Sequence, residues 1–264
     1  MTDLLDLALR LAEQAGELLI RSVPRRDAGR VAKTSLTDMV TDADRASEAL
    51  IVEGIRAARP HDAIVGEEGA DHAGTTGVTW VIDPLDGTTN YLYDHPAFAV
   101  SIGVAIDGLA EAGVVAAPAQ GEVFSAVRGG GAFRNGEPVT VTGHDDLATA
   151  LVATGFGYVA EARAAQGAVA ARVLPHVRDI RRCGSAALDL CWVACGRLDA
   201  YYEAGLQAWD MAAGVLIAAE AGAVTGGLTG GPPVPGSVVA ATPGVAPALL
   251  RLLDQAGAAA LVPE

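Results

Sequence analysis

Two aspartates three residues apart, Asp83 and Asp86, sit in the stretch Trp80-Val81-Ile82-Asp83-Pro84-Leu85-Asp86-Gly87-Thr88-Thr89-Asn90-Tyr91. Val78 to Ile82 is a short, apolar, largely β-branched run around Trp80, and it predicts a strand. Asp83-Pro84 and Asp86-Gly87 are turn pairs, and Pro84 has no N–H to offer a sheet, so the strand is expected to break there. The break throws both carboxylates out of the sheet and leaves the Leu85 carbonyl free to point at whatever they hold. Such oxygen donors suit a hard cation such as Mg2+, which takes one or two carboxylates and completes its octahedron with water and substrate phosphate. Gly87-Thr88-Thr89 follows at the start of a candidate helix, where bare backbone N–H groups bind phosphate. Metal and phosphate are therefore expected side by side.

An Asp-x-x-Asp alone is commonly a solvated turn. Here three more carboxylate segments complete a pattern. Glu67-Glu68 follows the apolar run Ile64-Val65-Gly66; Asp210 stands in Ala208-Trp209-Asp210-Met211-Ala212-Ala213-Gly214; Asp38, Asp42 and Asp44 lie between Lys33 and Asp44.

These residues resemble the inositol monophosphatase family, of the bacterial type, within the magnesium-dependent, lithium-sensitive phosphatase superfamily. The Asp83–Tyr91 string and Trp209-Asp210 followed by Ala-Ala-Gly are the most specific signals. Weaker agreement extends over nearly the whole chain, through Gly66-Glu67-Glu68, Gly184-Ser185-Ala186-Ala187 and Asp199-Ala200-Tyr201-Tyr202-Glu203. The resemblance implies a mixed α/β fold, a five-layer α-β-α-β-α sandwich, and a homodimer. It also implies two or three Mg2+ ions per subunit. Glu67, Asp83 and the Leu85 carbonyl would hold the first; Asp83, Asp86 and Asp210 the second; a third, looser ion would sit near Glu67. Thr88 and Asp44 would orient and deprotonate the attacking water, with Lys33 as a positioning charge. The N–H groups of Gly87 and Thr88 would cradle phosphate, Ser185 and Ala186 would present a second helix N-terminus, and Glu203 would meet the alcohol part of the substrate. Glu68 is open between a solvated neighbour and a partner of the ligands. Three functions stay distinct: hydrolysis of myo-inositol monophosphate, the same chemistry on another small phosphate (fructose 1,6-bisphosphate, histidinol phosphate, an adenosine bisphosphate), or a protein-binding regulator. Glu203 and the tyrosine pair favour the first.

Composition bounds the rest. With 264 residues, 51% of them hydrophobic, the chain can bury a substantial core, and no long linker or internal repeat divides it, so one catalytic domain spanning 1–264 is expected. The net charge of −14 argues against a nucleic-acid partner. An acidic protein handling an anion needs local positive charge, which metal ions supply. No uninterrupted apolar run reaches about eighteen residues, and the N-terminus lacks a basic-then-apolar leader, so neither a membrane span nor export is expected. Cys183, Cys191 and Cys195 are odd in number and crowded, which suits reduced thiols and the cytoplasm.

Leu4, Leu7, Leu11, Ala15 and Leu18 recur at helical spacing and predict a helix over Thr2–Arg21. Further helices are expected at 46–59, 161–174, 186–196, 209–221 and 243–255, and strands at 63–65, 99–106, 109–116, 123–127, 151–154 and 237–241. Tyr201-Tyr202-Glu203 reads as a strand end. Asp107-Gly108 and Asn135-Gly136 are hairpin pairs. Gly129-Gly130-Gly131 matches no phosphate-loop pattern. The five histidines lack ligand spacing, the basic stretch 22–30 reads as a solvated loop, and Cys191 and Cys195 read as core.

Overall fold

The leucine stripe folds as its spacing dictates. In a computed structural model describing residues 2–22, 31–32 and 39–262, helix α1 (Thr2–Arg21) buries Leu4, Leu7, Leu11 and Ala15. Leu19, rather than Leu18, continues the stripe at 0% exposure, because steps of four from Leu11 and Ala15 stay on one face. Strands β1 (Val31–Ala32) and β2 (Met39–Val40) pair antiparallel. Helix α2 (Asp42–Ala58) begins four residues before the expected start at 46. Thr41 caps it: its hydroxyl accepts from the N–H of Ala43 (3.1 Å) and Asp44 (3.3 Å), while its own N–H donates back to Asp44 Oδ2 (2.8 Å). That box places Asp44 in a helical first turn, fully buried.

Strand β3 (Ala63–Gly66) runs parallel to β4 (Val78–Asp86). Buried Asp62 anchors β4 from the side, accepting from Trp80 Nε1 (3.0 Å), Thr76 Oγ1 (2.6 Å) and Arg59 Nε (2.8 Å). The strand does not end at Asp83, as Pro84 suggested. It continues to Asp86 through a bulge, with Asp83 opposite Ser101 and Asp86 opposite Ala99, so that Pro84 and Leu85 together face Val100. A bulge is where a sheet accommodates a residue without an N–H. Ser47 Oγ on α2 donates to the Pro84 carbonyl (2.8 Å) and ties the bulge to that helix. Gly87, at φ 94°, then turns the chain into the short helix α3 (Thr88–Leu92); a Cβ here would lie 2.9 Å from the Ala97 carbonyl oxygen.

Strands β5 (Ala99–Ile106), β6 (Leu109–Ala117), β7 (Glu122–Val127), β8 (Ala132–Arg134) and β9 (Glu137–Val139) extend the sheet antiparallel in chain order, with the expected turns at Asp107-Gly108 and Asn135-Gly136. The second half runs β10 (Leu151–Thr154), α4 (Ala160–Val173), β11 (Asp179–Arg181), α5 (Ala186–Ala194), β12 (Ala200–Ala204), α6 (Ala208–Glu220), β13 (Val224–Gly226), β14 (Ser237–Ala241) and α7 (Ala246–Gln255). These strands form a second sheet in the order β11-β10-β12-β14-β13. Tyr201-Tyr202-Glu203 thus belongs to the central strand rather than to a strand end; both tyrosines are buried. The Gly129-Gly130-Gly131 run binds a carboxylate of the protein itself: the N–H groups of Gly129 and Gly131 donate to Glu220 on α6 (2.8 and 2.9 Å).

Four apolar clusters set the layer order. Leu7, Leu11, Ile51 and Ile55 of α1 and α2 pack on Trp80, Ile82 and Ile102 of the large sheet. Val115 and Phe124, on its other face, meet Leu188 and Cys191 of α5 and Ala213 and Ile217 of α6. Leu190, Val193 and Met211 from those two helices cover Tyr201, Val238 and Ala240 of the second sheet. Val152, Tyr202 and Val239 on its far face pack against Val169 and Val173 of α4 and Leu249 and Leu253 of α7. The result is the five-layer α-β-α-β-α sandwich. Among the described residues no helix is long and apolar enough to cross a membrane.

Candidate active site

A cleft of about 420 Å³ opens where β4 ends. Its walls are the bulge, the N-terminal ends of α3, α5 and α6, the end of β12 and the loop after β10. Every residue expected to bind metal lines it: Glu67, Asp83, Leu85, Asp86 and Asp210. So do Gly87, Thr88, Ser185, Ala186 and Glu203. Asp44 does not reach the cleft itself. Lys33 and Asp38 lie outside the described residues, as does the basic stretch from 23 to 30.

Local structure aims each carboxylate. Asp83 Oδ1 accepts from the Leu85 N–H (3.0 Å), an Asx-type turn across the bulge. Asp86 Oδ2 accepts from Ser185 Oγ (2.6 Å) and the Ala187 N–H (2.7 Å), so the start of α5 is turned towards a carboxylate. Asp210 Oδ2 accepts from the Gln207 N–H (2.6 Å), closing a capping box on α6. The Ser185, Ala187 and Gln207 bonds fall on Oδ2 atoms, whereas the Leu85 bond falls on the Oδ1 of Asp83. Thr88 Oγ1 lies 3.1 Å from Asp44 Oδ1 and 3.1 Å from the Leu85 carbonyl, with one proton to share between them. Asp44 Oδ2 is taken by both donors of Thr41, so Asp44 faces the cleft only through Thr88.

Glu203 stands on β12 at the other end of the cleft. Tyr201 Oη donates to its Oε2 (2.6 Å). The carboxylate also lies flat against Gly155, where any Cβ would fall 2.0–2.2 Å from it. Arg182, Tyr158 and the Gly155-Phe156-Gly157 turn complete this end. Sequence reasoning misses all of these, because nothing in their spacing ties them to the carboxylates. Only the double glycine around Phe156 hints at a close approach. Glu68 does not line the cleft; it is half-buried beside it, its N–H donates to Glu48 (3.0 Å), and its charge is felt by Asp44. Four of the five histidines are exposed and His144 is half-buried, while Cys191 is buried in the core and Cys195 half-buried beside it.

The acids crowd one another. Burial, and then the charges of Glu67, Asp86 and Asp210, push the Asp83 carboxyl well above the usual range. Burial raises Asp86 to about 6 despite the Ser185 and Ala187 bonds, and it raises Asp210 strongly, with the charge of Asp86 adding to it. Burial lifts Glu203 to about 7, against the Tyr201 bond. Among the described residues no three acid, imidazole or thiol groups already converge at ligand distances. The donor set is nonetheless the right chemistry for a hard divalent cation: several carboxylates and a carbonyl, buried or half-buried, mutually repelling, and without soft ligands.

A pH dependence follows. A carboxyl whose pKa is raised by folding binds its proton more tightly in the folded state, so stability is greatest below the unfolded value near 4 and declines as pH rises through the folded values. For Asp86, near 6, and Glu203, near 7, that cost is reached above about pH 7. A divalent cation relieves it there and has little to relieve near pH 5. Saturating Mg2+ is expected to raise Tm by roughly 5–10 °C at about pH 7.5 and far less at about pH 5. Equal shifts at both values in thermal denaturation would count against a cation among these acids.

The layered α/β sandwich sets a carboxylate-lined cleft beside the starts of α5 and α6. The family model for the inositol monophosphatase family matches residues 1–261, and the chain belongs to that family. Membership supports a phosphatase, and the family is generally metal-dependent. Among similar proteins is the "Inositol-1-monophosphatase SuhB" of Mycobacterium tuberculosis, 49% identical over 245 residues, 88% of this chain and 84% of that one. The "Nus factor SuhB" of Escherichia coli is 41% identical over 254 residues, 95% of each chain. A solved inositol monophosphatase from Anabaena superposes with a TM-score of 0.85 at 36% identity, over 99% of this chain and 97% of that one.

Proposed function

We propose that this chain hydrolyses myo-inositol monophosphate to myo-inositol and phosphate, with Mg2+ held by Glu67, Asp83, the Leu85 carbonyl, Asp86 and Asp210. The observation that carries the reading is the Thr88 hydroxyl, held between buried Asp44 and the Leu85 carbonyl on the wall where the carboxylates meet. Bound cations would activate water at neutral pH and neutralise the phosphoryl oxygens. Thr88 orients the attacking water and passes its proton to Asp44, whose carboxyl burial already lifts above the usual range. The N–H groups of Gly87 and Thr88, at the start of α3, face the phosphate, and the start of α5 at Ser185 and Ala186 lies opposite. Glu203 accepts hydrogen bonds from the ring hydroxyls.

The same reading takes residues 1–264 as one catalytic unit, since the cleft draws on both sheets. The oxygen-only donor set supports magnesium, and free cysteines support the cytoplasm. A homodimer, lithium sensitivity and the absence of a nucleic-acid partner rest on the resemblance and on the acidic charge. The Escherichia coli relative's name brings in the regulator reading. A regulator would not need Thr88 and Asp44 in register, so catalysis is preferred.

Glu203→Ala assayed on inositol 1-phosphate and on glycerol 2-phosphate tests the substrate. A hydrogen bond to a charged group is worth about 1.5–3 kcal/mol, so kcat/KM on the first is expected to fall roughly ten- to a hundred-fold more than on the second. Gly155→Ala, whose methyl group must displace the Glu203 carboxylate, is expected to shift selectivity the same way. Equal losses on both phosphates would remove Glu203 from substrate recognition.

A further inference from the structure

Arg182 is the one cation among the described residues lining the cleft, against Glu67, Asp83, Asp86, Glu203 and Asp210. It lies between β11 and α5, is exposed, and rests over the backbone of Gly184: a Cβ there would fall 2.3 Å from Arg182 Nη1. Glu203 and Asp86 both feel its charge. Yet among the described residues Arg182 forms no ion pair and no hydrogen bond, although other arginines of the chain close such contacts, as Arg197 does with Glu122 at 2.6 Å.

A guanidinium left this way presents a rigid fork of N–H donors and no acceptor. Glu203, when ionised, presents acceptors and no donor. The two share one cleft without joining, so what fits between them must accept on one side and donate on the other. A hydroxyl does both, and neighbouring hydroxyls of a polyol can satisfy the two at once. A phosphate ester of an alcohol without further hydroxyls satisfies neither.

We propose that Arg182 is a specificity-determining residue that clamps the polyol part of the substrate opposite Glu203, so that the site prefers phosphate monoesters of polyhydroxylated alcohols. This rests on the phosphatase reading above and names the group that selects the alcohol. A guanidinium in this place also offsets the repulsion that Glu203 alone would exert on anionic substituents of the alcohol.

The test compares wild type, Arg182→Ala and Arg182→Lys on inositol 1-phosphate and on phenyl phosphate, with inorganic phosphate as inhibitor. For Arg182→Ala the ratio of kcat/KM between the two substrates is expected to fall roughly ten- to a hundred-fold, mainly through KM for inositol 1-phosphate. Lysine keeps the charge but loses the fork and should fall between. In the Arg182→Ala/Glu203→Ala double variant the two losses should be less than additive, because one substrate bridges both groups. An unchanged ratio overturns the clamp. So does a parallel loss on both substrates with weaker phosphate inhibition, which would make Arg182 a phosphate contact. A wild-type protein that hydrolyses neither ester, with Mg2+ present, overturns the phosphatase reading and the clamp with it; hydrolysis of both without discrimination by the variants overturns the clamp alone.

Discussion

Asp83→Asn is expected to lower kcat/KM by at least ~10³-fold while raising the melting temperature of the metal-free protein. Both effects come from one charge. Asp83 is 1% exposed, and its carboxyl is driven upward by burial and by Glu67, Asp86 and Asp210. An asparagine keeps the shape, keeps an oxygen for the Leu85 N–H, and can donate its amide to Glu67, so the repulsion is relieved without opening a cavity. A buried charge relieved in this way is worth about 1–3 kcal/mol, or roughly 3–10 °C in a chain of this size. The same exchange takes a charged oxygen from the proposed ions, and the added Tm that Mg2+ gives wild type should shrink with it. Calorimetry with and without Mg2+, beside steady-state kinetics, reads all three. Activity within tenfold of wild type at saturating Mg2+ would remove Asp83 from the metal site.

Thr88→Ala is expected to depress kcat by about 10²–10⁴-fold with KM nearly unchanged. Thr88 supplies the contact between Asp44 and the cleft, since the other Asp44 oxygen is committed to Thr41. Without the hydroxyl a water can still enter, but its proton has no path to the buried acid. Thr88→Ser keeps the path and should recover most of the rate. The stability cost of the alanine should be modest, about 1 kcal/mol for one hydrogen bond, so lost folding will not mimic the kinetic effect. If KM rose while kcat held, Thr88 would be a binding residue and Asp44 would lose its proposed role.

These two residues also separate what is local from what is not. Asp83, Leu85, Asp86, Gly87 and Thr88 are neighbours in the chain, and turn chemistry among neighbours is legible without a fold. Even so, Pro84 predicts a strand end, and the strand instead bulges. What carries β4 past it is pairing with Ser101 and Ala99, a partner that local propensity cannot see. A helix starting at Ala46 leaves Asp44 in the segment before it. The capping box with Thr41 pulls Asp44 into α2, a signal written in the sequence as Thr-x-x-Asp but hidden among the other acids of that segment.

Residue types and short spacings were enough to make an expectation of oxygen donors and bare amides side by side, of the helix and strand periods, and of a strongly acidic chain. Those properties reside in residue type and short spacing, where covalent connection already limits the geometry. Tertiary structure alone decided who meets whom. Periodicity says which face of an element is buried but not against what, so the layer order had to come from packing. The placement of Glu203 against Gly155, and of Arg182 in the same cleft, arises where β12, the loop after β10 and the start of α5 converge. Contacts of that kind depend on which apolar faces pair, and no spacing along the chain records that choice.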